Sequence, residues 1–370
     1  MMNDKKIKVV QVLPSLDSGG VERGTLEVGK YLCEKGHKSI VISKKGRLVN
    51  QLENEGSQHI NWNIGQKSLF TLFLVPGLIR LLREERVDVI HARSRFPAWI
   101  CFIALSFISR NKRPLFVTTF HGPYSINFYS GIMARGDKVI AISEFIKQYI
   151  VKNYKINPNK IILNYRGVEG KHFPYGFRPE RGWINEWHKK FPRTRNKILI
   201  TLPARVTRWK GHEDFIRIIS MLVKKNSQIH GLIVGEVKNG KNTYQSDLVS
   251  KVRELGLNDT ITFVGHRSDL KEIMSISKIV MSLSMVPEAF GRVSLEALSL
   301  GVPVIAYDHG GVSEQLHEIF PEGLVSIGRI ENVSALCLKF INNPPVIKRD
   351  HKFKLTTMLK NTLRVYTDKI

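Results

Sequence analysis

Two carboxylates, Glu288 and Glu296, stand eight positions apart in the stretch PEAFGRVSLEALSLGVPVIA, with Gly291 between them. The spacing puts Glu288 in a loop and Glu296 in the second turn of a helix that starts near Gly291. The first backbone N–H groups of that helix, at Gly291, Arg292 and Val293, lack intrahelical partners and attract anions. Carboxylates accept from vicinal hydroxyls. One acid can therefore hold a sugar ring and the other a ribose, with phosphates over the helix end. The bland reading of the same residues is one exposed acid and one helix acid with no ligand.

Three further groups share this chemistry. ITLPARVTRWKG places Arg205 just past a strand and Lys210 five residues later, entering a helix. Two fixed cations can grip a pyrophosphate and stabilise the charge that grows as it departs; each alone also reads as a solvated surface charge. LDSGGVERG follows the first strand, so Gly19 and Gly20 make a tight turn where backbone N–H groups can approach a phosphate closely. Glycines at 19, 20 and 24 do not form the dinucleotide fingerprint, and the second strand ends in Ser43-Lys44 where an NAD site needs an acid. TTFHG sets His121 at a strand end, as a group beside the sugar or as a plain loop residue. No Asp-x-Asp pair occurs in the chain, so the common carboxylate grip on a nucleotide-bound divalent cation is missing. No metal and no cofactor are expected, with Arg205 and Lys210 doing the neutralising.

These residues need a scaffold, and the hydrophobic pattern supplies one. Short β-branched runs alternate with amphipathic segments, the signature of parallel sheets flanked by helices. The runs at 7–13, 39–43, 88–91, 115–119, 138–142 and 161–163 read as strands, with helices over 21–34, 72–85, 98–108 and 144–153. The pattern restarts at 198–202, 229–234, 260–264, 279–282, 302–306 and 324–326, with helices over 212–224, 244–254, 292–300, 312–317 and 333–341. This predicts an N-terminal domain over 1–170 and a C-terminal domain over 198–345. The proline- and aromatic-rich stretch 171–197 reads as a connector without a clean period. A basic tail, 346–370, follows. Two doubly wound domains facing each other would leave a cleft at the carboxyl ends of both sheets.

Composition narrows the setting. At 370 residues, 42% of them hydrophobic, the chain is globular and large enough for two cores. Three scattered cysteines form neither a disulfide framework nor a zinc site and point to the cytoplasm. The N-terminal stretch MMNDKKIKVVQVLP has no long apolar core and no small-residue cleavage site, so no secretion signal is expected. The formal net charge of +25 is spread along the whole chain, without an aromatic-basic nucleic-acid module. That favours anionic small molecules or an anionic membrane surface, on the inner face of the inner membrane, over nucleic acid.

Together the motifs resemble the family 4 retaining glycosyltransferases of GT-B fold, over nearly the whole chain. The carriers are the acid–seven residues–acid spacing in EAFGRVSLE, the ALSLGVPVIAYDHGGVSE that follows it, and PARVTRWKG before it. The resemblance implies two Rossmann-like domains, a nucleotide-sugar donor held mainly by the second, and an acceptor held mainly by the first. It assigns Glu288 to donor sugar hydroxyls, Glu296 to the ribose, and Arg205 and Lys210 to the diphosphate. Backbone at Gly19, Gly20, Ala289, Phe290, Gly291, Arg292 and Val293 would assist, His121 would stand beside the sugar, and Val264, Gly265 and His266 would line the base. A terminal helix over 356–366 would cross back to the first domain. HARSRFPAW, TTFHGPYSINFYSGIMARGDKVIAIS and NYRGVE look narrower still, like bacterial lipopolysaccharide-core mannosyltransferases. That implies GDP-mannose ahead of a UDP-hexose, and a lipid-linked glycan acceptor met by Arg93, Arg95 and Tyr124. Arg166 in NYRGVE departs from the family, where asparagine is usual before Gly-Val. The rival readings are a nucleotide-sugar epimerase or hydrolase of the same fold, and a non-enzymatic basic binding protein.

Overall fold

The computed structural model describes residues 6–17, 19–236 and 243–368. Residues 1–5 of the basic N-terminal stretch lie outside them. The chain divides into two α/β units, the first formed by residues 1–166 with 356–370 and the second by 167–355.

The first unit is built on a parallel sheet of β1 (Lys8–Ser15), β2 (Lys38–Lys44), β3 (Gln58–Asn61), β4 (Val89–Ala92), β5 (Leu115–Phe120), β6 (Lys138–Ala141) and β7 (Ile161–Leu163). Their order is β3-β2-β1-β4-β5-β6-β7. Six of these fall on the apolar runs. The pattern missed β3, because QHIN carries one β-branched residue; it forms at the sheet edge by aligning Gln58 with Ile40 and Asn61 with Ser43. Central strands are buried on both faces, as parallel sheets require. Gln11 lies fully buried in mid-β1, and two bonds offset that cost: its amide donates to the Thr25 carbonyl at 3.1 Å, and Arg93 Nε donates to its Oε1 at 2.9 Å.

The helix Leu355–Thr367 packs within this unit from Thr356 onward. Its buried residues Met358, Thr362, Val365 and Tyr366 share one face at helical spacing. The Tyr366 hydroxyl lies 2.7 Å from His91 Nδ1, and Asn164 Nδ2 donates to the Met358 carbonyl and to Thr362 Oγ1.

The second unit carries β8 (Ile198–Pro203), β9 (Ile229–Val234), β10 (Ile261–Gly265), β11 (Ile279–Ser282), β12 (Val304–Tyr307) and β13 (Leu324–Val325), all parallel, in the order β10-β9-β8-β11-β12-β13. Two expectations need correction here. The stretch 171–197 is not an irregular connector: it contains the helix Arg181–Lys190 and belongs to this unit. Trp183 and Trp187 stack at 5.4 Å, and Trp187 is buried in a cluster with Leu199, Leu232 and Ile273. Residues 346–355 also stay with this unit, because Ile347 and Phe353 are buried in it and Val168 pairs with Lys354.

In each sheet the strand order turns back beside the first strand, between β1 and β4 and between β8 and β11. Loops leaving the carboxyl ends of such neighbouring strands part to opposite faces and leave room for a ligand. Lys210 follows β8 and Glu288 follows β11.

Candidate active site

In the second unit the two loops meet. Lys210 Nζ lies 2.7 Å from Glu288 Oε1, in an ion pair whose side chains are 14% and 19% exposed. Ser284 Oγ donates to the same oxygen at 2.5 Å. Both bonds fall on Oε1, which leaves the second carboxylate oxygen as an acceptor for a hydroxyl, while the ammonium keeps two donors for an anion. Lys210 Nζ also sits 4.4 Å above the Trp209 ring.

Local backbone explains why these side chains converge. Lys210 ends the short 3-10 turn Arg208–Lys210, and Gly211 then takes φ +74 to start the helix His212–Val223. A Cβ on Gly211 would lie 2.0 Å from the Leu283 carbonyl oxygen, so only glycine lets the Lys210 turn close on the loop after β11. Gly291, with φ +80, begins the helix Arg292–Ser299 in the same way. The loop between is clamped from behind: Gly311 N donates to the Glu288 carbonyl at 2.8 Å, and the Gln315 amide donates to the Phe290 carbonyl. The resulting pocket is lined by Lys210, Ser284, Glu288, Gly291, Arg292 and Val293, among others. It joins one cation, one carboxylate and a helix N-terminus, which suits a ligand carrying both hydroxyls and phosphate.

Of the other residues singled out from the sequence, Arg205 is exposed and, among the described residues, makes no hydrogen bond or ion pair. Glu296 is buried, 3.6 Å from Arg292 within one helix turn, and does not line that pocket. Ala289 and Phe290 form the clamped loop, with Phe290 buried against Phe353. Val264, Gly265 and His266 close β10, at the same sheet edge but two strands from β8; Val264 is buried, Gly265 takes φ +77, and His266 is exposed near Glu236.

In the first unit Gly19 has φ +150 and precedes the helix Gly20–Glu34, with the Glu22 carboxylate lying against it. Arg93 is buried, and desolvation lowers its pKa. Arg95 donates to Ser130 at 3.1 Å and lies over the Tyr124 and Tyr129 rings. Burial pushes the Tyr124 phenol up.

His121 has a partner that explains the departure at Arg166. An Arg166 NH2 group lies 3.0 Å from His121 Nδ1. A guanidinium can only donate, so Nδ1 must be the acceptor and the ring proton resides on Nε2. That nitrogen is buried without a hydrogen-bond partner among the described residues. Burial first, and then the charges of Arg166 and Arg93, hold His121 well below the ordinary histidine value of 6.5. A folded-state pKa below the usual value keeps the ring neutral through the neutral range. Arg166→Met removes one lowering charge, so His121 should titrate closer to 6.5 than in the wild type. Histidine NMR against pH reads this directly, and an unmoved His121 transition would remove Arg166 from this role.

Sequence reasoning missed Ser284, Trp209 and the His91–Tyr366 bond. Ser284 lies two residues past β11, where a strand-end hydroxyl was a signal. Nothing in a single sequence pairs residues 275 positions apart, as His91 and Tyr366 are.

Two doubly wound parallel units, with this pocket at the switch point of the second, define the GT-B fold class. The family comparisons agree: the model for "Glycosyltransferase Family 4" matches residues 18–171, and that for "Glycosyl transferases group 1" matches residues 184–356. The crystal structure of a glycosyltransferase from Rickettsia africae ESF-5 is 31% identical, with a TM-score of 0.83 over 98% of each chain. The chain belongs to this glycosyltransferase family. Anabaena HepE, solved with UDP-glucose, shares the fold at 20% identity and a TM-score of 0.82, over 98% of this chain and 100% of that one. Among curated relatives, N-acetyl-alpha-D-glucosaminyl L-malate synthase of Bacillus anthracis is 24% identical over 91% of this chain and 88% of its own length. The lipopolysaccharide core biosynthesis mannosyltransferase LpsB of Rhizobium meliloti is 28% identical over 68% of this chain and 71% of its own.

Proposed function

We propose that this glycosyltransferase moves a hexose from a nucleotide-sugar to a lipopolysaccharide-core or other lipid-linked glycan, with retention of anomeric configuration and without a metal. GDP-mannose is the favoured donor. The observation that carries the reading is the Lys210–Glu288 pair, 2.7 Å apart at the β8/β11 switch point beside the N-terminus of the helix Arg292–Ser299. Glu288 would accept from donor sugar hydroxyls, Lys210 and Arg205 would face the diphosphate, Glu296 the ribose, and residues 264–266 the base. In the first unit, His121, Gly19 and Gly20 are assigned to the donor, and Arg93, Arg95 and Tyr124 to the acceptor.

In the reaction the bond from the anomeric carbon to the diphosphate oxygen breaks, and the acceptor oxygen bonds to that carbon on the same face. The acceptor proton passes to the departing diphosphate oxygen, so no enzyme nucleophile is required. Lys210 and the helix N-terminus stabilise the charge left on the diphosphate. The net charge of +25 supports peripheral attachment to the inner face of an anionic membrane.

Because HepE was solved with UDP-glucose, UDP-sugars belong beside GDP-sugars in the test. GDP-mannose should raise the melting temperature most and be transferred to a Kdo-terminated lipid acceptor, with NMR showing the donor's anomeric configuration in the product. Stabilisation by UDP-sugars alone would overturn the donor, an inverted product would overturn the mechanism, and donor consumption without acceptor would favour a hydrolase.

A further inference from the structure

The first unit exposes apolar surface that its own core does not use. Leu69, Phe70 and Phe73, in the short 3-10 helix Leu69–Phe73, are 83%, 78% and 77% exposed, and Phe128, after β5, is 82% exposed. Single exposed apolar residues are ordinary, whereas contiguous ones mark an interaction surface. These are linked. Lys67 Nζ sits 5.2 Å above the Tyr129 ring, which ties the segment before the 3-10 helix to the short helix Phe128–Gly131. Phe128 lies on Trp99 at 5.1 Å, and Trp99 meets Phe102 edge-on.

Beside Phe128 lies a groove of about 1000 Å³ whose apolar lining includes Trp99, Phe102, Ile126 and Phe128. Arg110, Arg113, Arg135, Lys155 and Lys160 also line it, with Asp137 as the one acid, already held by Arg113 at 2.7 Å. Among the described residues no helix is long and apolar enough to cross a membrane. We propose that this groove and the adjoining 3-10 turn dock the chain on an anionic lipid bilayer, with the rings and Leu69 entering the acyl boundary and the groove's cations meeting headgroup phosphates.

Charge and side-chain type select this occupant. A cationic groove needs an anionic partner, and a second copy would bring the same cations face to face. The rings could stack bases, but Leu69 and Ile126 present exposed aliphatic surface that an acyl boundary covers and a nucleic-acid strand does not. Apolar tips beside cations are what an interfacial site on anionic lipid requires, since binding there adds buried apolar area to electrostatic attraction.

The inference deepens the membrane part of the proposed function and can fail apart from it, because vesicles test it without any sugar. Purified full-length chain is sedimented with vesicles of equal parts phosphatidylglycerol and phosphatidylcholine, or of phosphatidylcholine alone, at about 150 mM salt. The wild type should partition to the anionic vesicles. The triple variant Phe70→Ser, Phe73→Ser, Phe128→Ser should bind at least tenfold more weakly, roughly, with the salt dependence unchanged. Arg110→Ala with Lys155→Ala and Lys160→Ala should weaken binding most at low salt. Both variants should keep the wild-type melting temperature and its shift with donor, which shows that they fold and that the donor site stands separately. Unchanged vesicle binding of the phenylalanine variant would overturn the proposal in favour of diffuse charge. So would a wild type left in the supernatant, displacement by RNA that depends on the same phenylalanines, or a self-association that those substitutions abolish.

Discussion

Lys210→Ala should lower turnover about 100- to 1000-fold, the loss typical when one preorganised donor to a developing anion is removed. The ammonium is already fixed before any ligand arrives, by Glu288 at 2.7 Å and by the Trp209 ring. That fixation is what makes it worth more than a mobile surface lysine, because no reorganisation is needed as the diphosphate departs. The stability cost should be much smaller. The pair is neither fully buried nor open to water, so breaking it costs roughly 1–2 kcal/mol, between the values for exposed and buried pairs. Ser284 still donates to Glu288 in the variant. Initial rates at saturating donor, set beside thermal unfolding, separate the two effects. A turnover loss under tenfold, or one fully explained by unfolded protein, would remove Lys210 from the role of stabilising the leaving diphosphate.

Gly211→Ala should be among the most damaging single-methyl additions in the second unit. The added carbon would meet the Leu283 carbonyl oxygen at 2.0 Å, and that atom belongs to backbone that leads directly to Ser284 and Glu288. The left-handed φ of +74 adds its own cost of about 1–2 kcal/mol for a residue with a side chain. Together these should destabilise the fold by about 3–4 kcal/mol. Gly256→Ala is the control: its φ is +67, but nothing lies within 4 Å of the added carbon. It should cost only the backbone part, about 1–2 kcal/mol. Denaturant midpoints for the pair distinguish strain from collision. Equal losses would mean that the contact with Leu283 relaxes freely and that Gly211 does not set the distance between the two loops.

The two cases also show where sequence reading works and where it stops. Strands buried on both faces announce themselves as apolar runs, so β8 and β11 could be placed, and with them Lys210 and Glu288 at loop positions after strand ends. Runs do not reveal strand order, and it is the order β9-β8-β11 that makes those two loops neighbours. The helix Arg181–Lys190 was hidden by surrounding charge and proline, although Trp183, Trp187 and Phe191 recur every fourth residue and do pack together. Spacing put Arg205 just past a strand and Glu296 in the second turn of a helix, where both lie, but did not reveal that Arg205 is exposed or that Glu296 is buried beside Arg292. Spacing along a helix fixes which turn a residue is on, not which way the loop before it folds. Arg166 was visible as a departure, but its reason, a bond to a histidine 45 positions earlier, depends on β5 and β7 flanking β6.

The helix Leu355–Thr367 carries a consequence for synthesis. It supplies Tyr366 to His91 and the Met358 carbonyl to Asn164, so polar groups of the first unit have partners encoded after the whole of the second. While the ribosome is still adding the second unit, the emerging amino-terminal half holds an unfinished interior. Those bonds can form only once residues 358–366 have been made, and a chain cut short before them leaves His91 and Asn164 without these partners.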